Sequence, residues 1–150
     1  MDSESFAKFQ KVFEKGIPFN QVMGLKLISA GDGEGLVRFD FREDLIGNSR
    51  LGILHGGIIA AALDVVGAVA VLSRFIDEGT EVGIGTVDMR VDYLTPAKGK
   101  FFNVTGTVMR FGRILCSSRM ELANDEGEMH AIGTAVYRLS KIEKFVDTNL

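Results

Sequence analysis

The stretch 58–76, IIAAALDVVGAVAVLSRFI, most constrains how this chain can fold. Its apolar residues run nearly all the way round a helix, and Asp64 is the only charge between His55 and Arg74. A helix that is apolar on every side belongs in a core. Its nearly uncharged part, 58–72, has 15 residues, short of the roughly 20 that a membrane span needs. Nineteen helical residues extend about 28 Å, and a lone helix of that length needs a sheet to cover it.

The rest of the chain supplies that sheet. Leu25 and Leu27 alternate with Lys26, and Val37, Phe39 and Phe41 alternate with Arg38 and Asp40. This predicts two strands joined by the turn-rich Gly31-Asp32-Gly33-Glu34-Gly35. After the long helix, 84–94 alternates, with Val87, Met89, Val91 and Tyr93 on one face and Thr86, Asp88, Arg90 and Asp92 on the other. Runs 101–109, 114–123 and 129–139 read as three more strands, with Gly112 and Asp125-Glu126-Gly127 as hairpin turns. Ahead of everything, Phe6, Phe9, Val12 and Phe13 stand at helical spacing in 3–15, capped by Asp2 or Ser3 and stopped by Gly16 and Pro18. No strand–helix–strand repeat occurs, so the expected class is α+β with an antiparallel sheet. The 150 residues make one expected domain, with an N-terminal helix over 1–17 and a polar, loosely held tail over 141–150.

Charge and cysteine content narrow the function. A net charge of −3 lacks the basic footprint of a nucleic-acid binder. The single cysteine, Cys116, excludes an internal disulfide and a cysteine-rich zinc site. The acidic opening Met1-Asp2-Ser3-Glu4 is unlike a secretory leader, and a cytoplasmic setting is expected. Gly31 to Gly35 lack the lysine of a phosphate loop, and no helix follows Gly83-Ile84-Gly85 as a dinucleotide fingerprint requires. His55 and His130 show no metal-ligand spacing, and His130 reads as a surface or inter-strand residue.

Two features point to chemistry. His55-Gly56-Gly57 directly precedes the core helix, where bare backbone N–H groups and the positive end of the helix dipole can hold a developing oxyanion. Asp64 lies in that helix with Ala60, Ala61, Gly67 and Ala68 as small neighbours. An unpaired buried carboxylate costs several kcal/mol, so it must be paired, hydrated or functional. Gly57 and Asp64 share a helix face but lie roughly 10 Å apart along its axis. A symmetric dimer could bring Asp64 of one subunit to the helix start of the other.

These residues resemble the hot-dog-fold acyl-CoA thioesterases, in particular the PaaI-like group with its HGG…D pattern. The resemblance runs through Ser49-Arg50-Leu51-Gly52, the segment 86–98 (TVDMRVDYLTPAK), Arg110-Phe111-Gly112-Arg113 and Gly133, and covers roughly residues 18–140. It implies a curved antiparallel sheet wrapped around one long helix. It also implies a homodimer, often paired into a homotetramer, with sites between subunits and no metal or covalent cofactor. By resemblance, the N–H of Gly56 or Gly57 polarises the thioester carbonyl, Asp64 of the partner acts as nucleophile or base, and His55 orients substrate or water. Many relatives carry Asn where this chain has Ser49, with Asn48 beside it, and some carry Ser at Thr86, which keeps the hydroxyl. Arg113, then Arg110 and Arg90, with Lys98 and Lys100 nearby, are candidates to hold the phosphates of CoA. The implied reaction is hydrolysis of an acyl- or aroyl-CoA to acid and CoA. A hydratase or dehydratase of acyl thioesters and a non-catalytic acyl-CoA-binding module are the alternatives.

Overall fold

The computed structural model describes residues 2–76 and 82–141. The core is one six-stranded antiparallel sheet in the order β1-β2-β6-β7-β8-β5, with a long helix, α3, laid across it. The strands are β1 (Lys26–Gly31), β2 (Glu34–Asp40), β5 (Val82–Tyr93), β6 (Phe101–Phe111), β7 (Leu115–Asn124) and β8 (Met129–Lys141). Two short strands, β3 (Ile46–Asn48) and β4 (Ile53–Leu54), pair ahead of α3 (Gly56–Leu72). This is the hot-dog arrangement, one helix in the grip of an antiparallel sheet. No helix among the described residues is long and apolar enough to cross a membrane.

Alternation buries Val37 and Phe39 of β2, Phe102 and Val104 of β6, Met120 and Leu122 of β7, and Ala131, Ala135 and Tyr137 of β8 against α3. From α3 come Ile59, Ala62, Leu63, Val66, Val69 and Ala70. The helix seats closely because Gly106 of β6 offers no side chain: a Cβ there would lie 2.6 Å from the Val66 carbonyl oxygen. The opposite stripe, Ala60, Ala61, Asp64 and Ala68, is only half-covered, and Gly57 at its start is exposed. Within one chain α3 is therefore not enclosed on all sides.

Several expectations need correction. The helix starts at Gly56 and ends at Leu72, not at Ile76. The Ser73 hydroxyl stops it by donating to the Ala70 carbonyl (2.8 Å) and accepting from the Gly33 N–H (2.9 Å). The N-terminal segment is α1 (Ser3–Lys11), capped by Asp2, a π-type turn over Val12–Gly16, and an unexpected α2 (Pro18–Met23). Pro18 opens α2 rather than simply breaking what precedes it, as its fixed φ and missing N–H permit in a first turn. Phe13 is buried and Phe6 and Phe9 half-buried, but Val12, where the wider turn begins, stays 60% exposed. Gly31 to Gly35 do form a hairpin, with Asp32 and Gly33 at positive φ. Lys141 closes β8, so the expected tail otherwise lies outside the described residues.

The face assignment in β5 also changes. Thr86 pairs with Tyr137 and Asp88 with Val136, which leaves Val87 as an extra residue, a β-bulge. The bulge reverses the alternation before Asp88. Thr86 thus joins the face of Met89, Val91 and Tyr93 that looks toward α3, while Val87 is pushed out and 59% exposed.

Candidate active site

The site is built at the start of α3. His55 is its N-cap, with extended backbone (φ −68°, ψ 134°), and its Nδ1 accepts the Gly57 N–H at 2.9 Å. Ordinary caps use a Ser, Thr or Asp oxygen to satisfy an orphan donor of the first turn; here an imidazole does so. The His55 N–H donates to the Leu45 carbonyl (2.9 Å) and the Leu54 N–H to the Ala97 carbonyl (3.1 Å), which pins the loop on both sides. Gly47 lies directly beneath, where a Cβ would fall 2.7 Å from His55 Cα.

The two glycines are not equivalent. Gly57 gives its N–H to His55, whereas the Gly56 N–H has no acceptor among the described residues. Gly56 is half-buried and borders a cleft of about 330 Å³ lined by Ile53, Leu54, Ile59, Tyr93, Leu94, Thr95, Pro96 and Ala97. An unused donor at the positive end of a helix, on a residue that lines a cleft of mainly apolar side chains, is equipped to meet a carbonyl oxygen that gains negative charge.

Asp64 lies two turns further on and is half-buried. The Thr86 hydroxyl donates to its Oδ1 at 2.8 Å, and the Tyr137 hydroxyl donates to its backbone carbonyl at 2.8 Å. Tyr137 is fully buried, and burial first, then the Asp64 charge, raises its phenol well above the ordinary value. Asp64 Oδ2 has no hydrogen-bond partner among the described residues. Along the axis Gly56 and Asp64 are about 12 Å apart, too far to serve one carbonyl from the same chain.

Other expected residues are not gathered here. Ser49 is exposed and lines a separate depression with Glu43, Ile46 and Gly47. Asn48 cannot readily replace it in the site, because its side-chain oxygen accepts the N–H groups of Arg50 (3.1 Å) and Leu51 (3.3 Å) in its own turn. Arg110 and Arg113 are exposed in the β6–β7 hairpin, beside Phe75 and Arg74 at the C-terminal end of α3. That is roughly 25 Å from Gly56 in the same chain. Arg90 is exposed and bound to Asp92, its Nη2 lying 3.0 Å from Oδ1. Cys116 is buried as a core thiol.

His130 is the clearest departure. It is buried, not superficial, because a bulge between the Leu122–Ala131 and Ala123–Met129 pairs turns it inward. Its Nδ1 lies 2.7 Å from the Thr95 hydroxyl and its ring stands edge-on to Phe102. The functional geometry that sequence reasoning missed is carried by tyrosines. The chain has two, and both donate to α3 carbonyls, Tyr93 to Gly56 (2.9 Å) and Tyr137 to Asp64. Their rarity beside a core helix is the one sequence signal that could have drawn attention to them.

A family model for the thioesterase superfamily matches residues 51–131. This chain belongs to that superfamily. The matched span holds His55, Gly56, Gly57, Asp64 and Thr86, while Ser49 precedes it. The chain is 31% identical over 137 residues to the medium/long-chain acyl-CoA thioesterase YigI of Escherichia coli, covering 85% of this chain and 88% of that protein. It is 29% identical over 124 residues to human acyl-coenzyme A thioesterase 13, covering 81% and 84%. A Shewanella oneidensis crystal structure related to the thioesterase superfamily superposes with a TM-score of 0.83 at 34% identity, covering 92% of this chain and 97% of that one.

Proposed function

We propose that this chain hydrolyses acyl-CoA thioesters to a free carboxylic acid and CoA, in the manner of the PaaI-like HGG…D group. The observation that carries the reading is the division of labour at the helix start: Gly57 is occupied by His55 and Gly56 is left open toward an apolar cleft. The thioester carbonyl oxygen sits at the Gly56 N–H, where the helix dipole favours the charge it gains. Asp64, oriented through Oδ1 by Thr86, uses Oδ2 either to take a proton from water or to attack the carbonyl itself. With water as nucleophile, its oxygen forms the new C–O bond, the C–S bond breaks, and the CoA thiolate takes up the proton that Asp64 removed; with Asp64 as nucleophile, C–S cleavage leaves a mixed anhydride, which water then hydrolyses to free the acid and restore the carboxylate. Water is the only co-reactant, so no metal or covalent cofactor is invoked.

Because Gly56 and Asp64 of one chain are too far apart, the reading places them together across a two-fold axis. Matching Gly56 to the partner's Asp64 and Asp64 to the partner's Gly56 sets two antiparallel helices centred on Ala60. The half-open stripe of Ala60, Ala61 and Ala68 suits such close approach, and among the described residues β5 is an edge strand, Tyr93 being 54% exposed. The same register carries the Arg110–Arg113 hairpin of one subunit toward the Asn48–Ser49 loop of the other. That supports these arginines, rather than the Asp92-bound Arg90, as the holders of the CoA phosphates. The assembly is thus a homodimer, with pairing of dimers into a tetramer as its extension. A cytoplasmic setting suits the unpaired Cys116.

An acyl-CoA panel spanning short, medium, long and aromatic acyl groups, assayed for thiol release, tests the activity. The apolar cleft lining and the medium/long-chain relatives point to aliphatic chains as the better substrates. Absence of thiol release from every member, with folded dimer in the assay, would overturn the reading.

A further inference from the structure

Tyr93 stands on β5 with its ring against Gly56, where an added Cβ would touch ring atoms at 3.4 and 3.5 Å. Its hydroxyl donates to the Gly56 carbonyl at 2.9 Å. That carbonyl and the Gly57 N–H belong to the same peptide unit, and the Gly57 N–H donates to His55 Nδ1 at 2.9 Å. The three groups therefore form a series: phenol to carbonyl, through the amide, to imidazole. Hydrogen bonds in series polarise one another by roughly 10–30% per bond. A donor aimed at Nδ1 requires a lone pair there, which leaves the single proton of a neutral imidazole on Nε2.

We propose that Tyr93 is a positioning residue that acts through the 56–57 peptide to hold His55 in its Nε2–H form. The proposal rests on reading Gly56 as the oxyanion donor, and it adds what His55 contributes there: a second donor, not a base. His55 is exposed, and among the described residues this bond is the one that its imidazole makes. Without the phenol the peptide is a weaker donor, the ring can turn, and either nitrogen can face substrate. The substrate then loses a fixed donor at the moment of charge development, while ground-state binding in the cleft changes little.

The chain contains only His55 and His130, so ¹⁵N NMR of ring-labelled protein gives two imidazoles, assigned with the His55→Ala variant. In the unaltered protein His55 should show an unprotonated Nδ1 and a protonated Nε2. In Tyr93→Phe, which keeps the ring wall, the two nitrogens should move toward a mixture. The same variant should lose about 10-fold in kcat with KM changed less than about twofold. A His55 protonated on Nδ1 in the unaltered protein, or a Tyr93→Phe variant with unchanged tautomer or unchanged kcat, overturns the proposal. Tyr93→Leu removes wall and hydroxyl together; equal kcat losses in Leu and Phe variants assign the effect to the hydroxyl, and a loss in Leu alone overturns it. The NMR result does not depend on turnover. If the unaltered protein hydrolyses no thioester, the functional reading fails while the tautomer remains measurable.

Discussion

Thr86 and Asp64 meet at 2.8 Å, hydroxyl to carboxylate, across the gap between β5 and α3. The bond uses one carboxylate oxygen and leaves the other without a partner among the described residues. A carboxylate on a half-open helix face would otherwise rotate freely, so Thr86 supplies orientation more than affinity. Asp64→Ala should therefore lower kcat about 100-fold or more, since the group acts in the transition state. Thr86→Val, close in shape but without the hydroxyl, should lower kcat by roughly 10-fold, whereas Thr86→Ser should stay near the parent. Steady-state kinetics on one good acyl-CoA checks all three. A loss confined to KM in Asp64→Ala would reassign that carboxylate to binding.

Tyr137 ties the same helical turn to β8, and its environment gives a pH signature. Its phenol is raised well above the ordinary value of about 10 by burial and by the Asp64 charge. As pH climbs past that value, the unfolded chain releases this proton while the folded chain keeps it. The stabilisation is thus complete below about pH 10 and is lost above it, at up to about 1.4 kcal/mol per pH unit. Melting temperatures between pH 8 and 11.5 should fall more steeply in the parent than in Tyr137→Phe. Below pH 9 the Phe variant should be less stable by about 0.5–1.5 kcal/mol, the net worth of one hydrogen bond. Parallel curves would show that this phenol does not carry the alkaline loss.

The central helix and Asp64 were legible because a single carboxylate inside an apolar run demands an explanation, and His55-Gly56-Gly57 because glycines open a helix start. What escaped depends on register rather than composition. Val87 continues the alternation of β5 without a break, so nothing in the pattern reveals that it is the extra residue that turns Thr86 toward Asp64. His130 sits in the same kind of irregularity and is buried for that reason. Pro18 after Gly16 has the pattern of a stop, although a first-turn position suits proline equally well. Tyr93 and Tyr137 act on backbone carbonyls, a partnership that only their rarity, two in the whole chain, could have hinted at.

The two-fold register has its own test at Ala60. If Gly56 meets the partner's Asp64, Ala60 lies at the axis and faces its own copy. Ala60→Glu would set two carboxylates against each other there, and like charges at close range disfavour association by several kcal/mol. Ala60 is half-covered in its own chain, so the fold should tolerate the change. Light scattering should report monomer, circular dichroism a native spectrum, and the thiol-release assay almost nothing. A fully active Ala60→Glu dimer would move the axis elsewhere.

Mixed dimers test the shared site directly. His55→Ala damages the helix start and Asp64→Ala removes the carboxylate, and each variant alone should be nearly inactive. Co-refolded in equal amounts, half of the dimers carry one subunit of each kind. If a site takes its helix start from one subunit and its carboxylate from the other, each mixed dimer contains one site with both residues intact and one with neither. Activity should then return to about a quarter of the parent value. If both residues served a site within one chain, every site in the mixture would still lack one of them, and no activity would return. Titrating the ratio of the two variants should trace a maximum at equal amounts, a shape that contamination by parent protein cannot imitate.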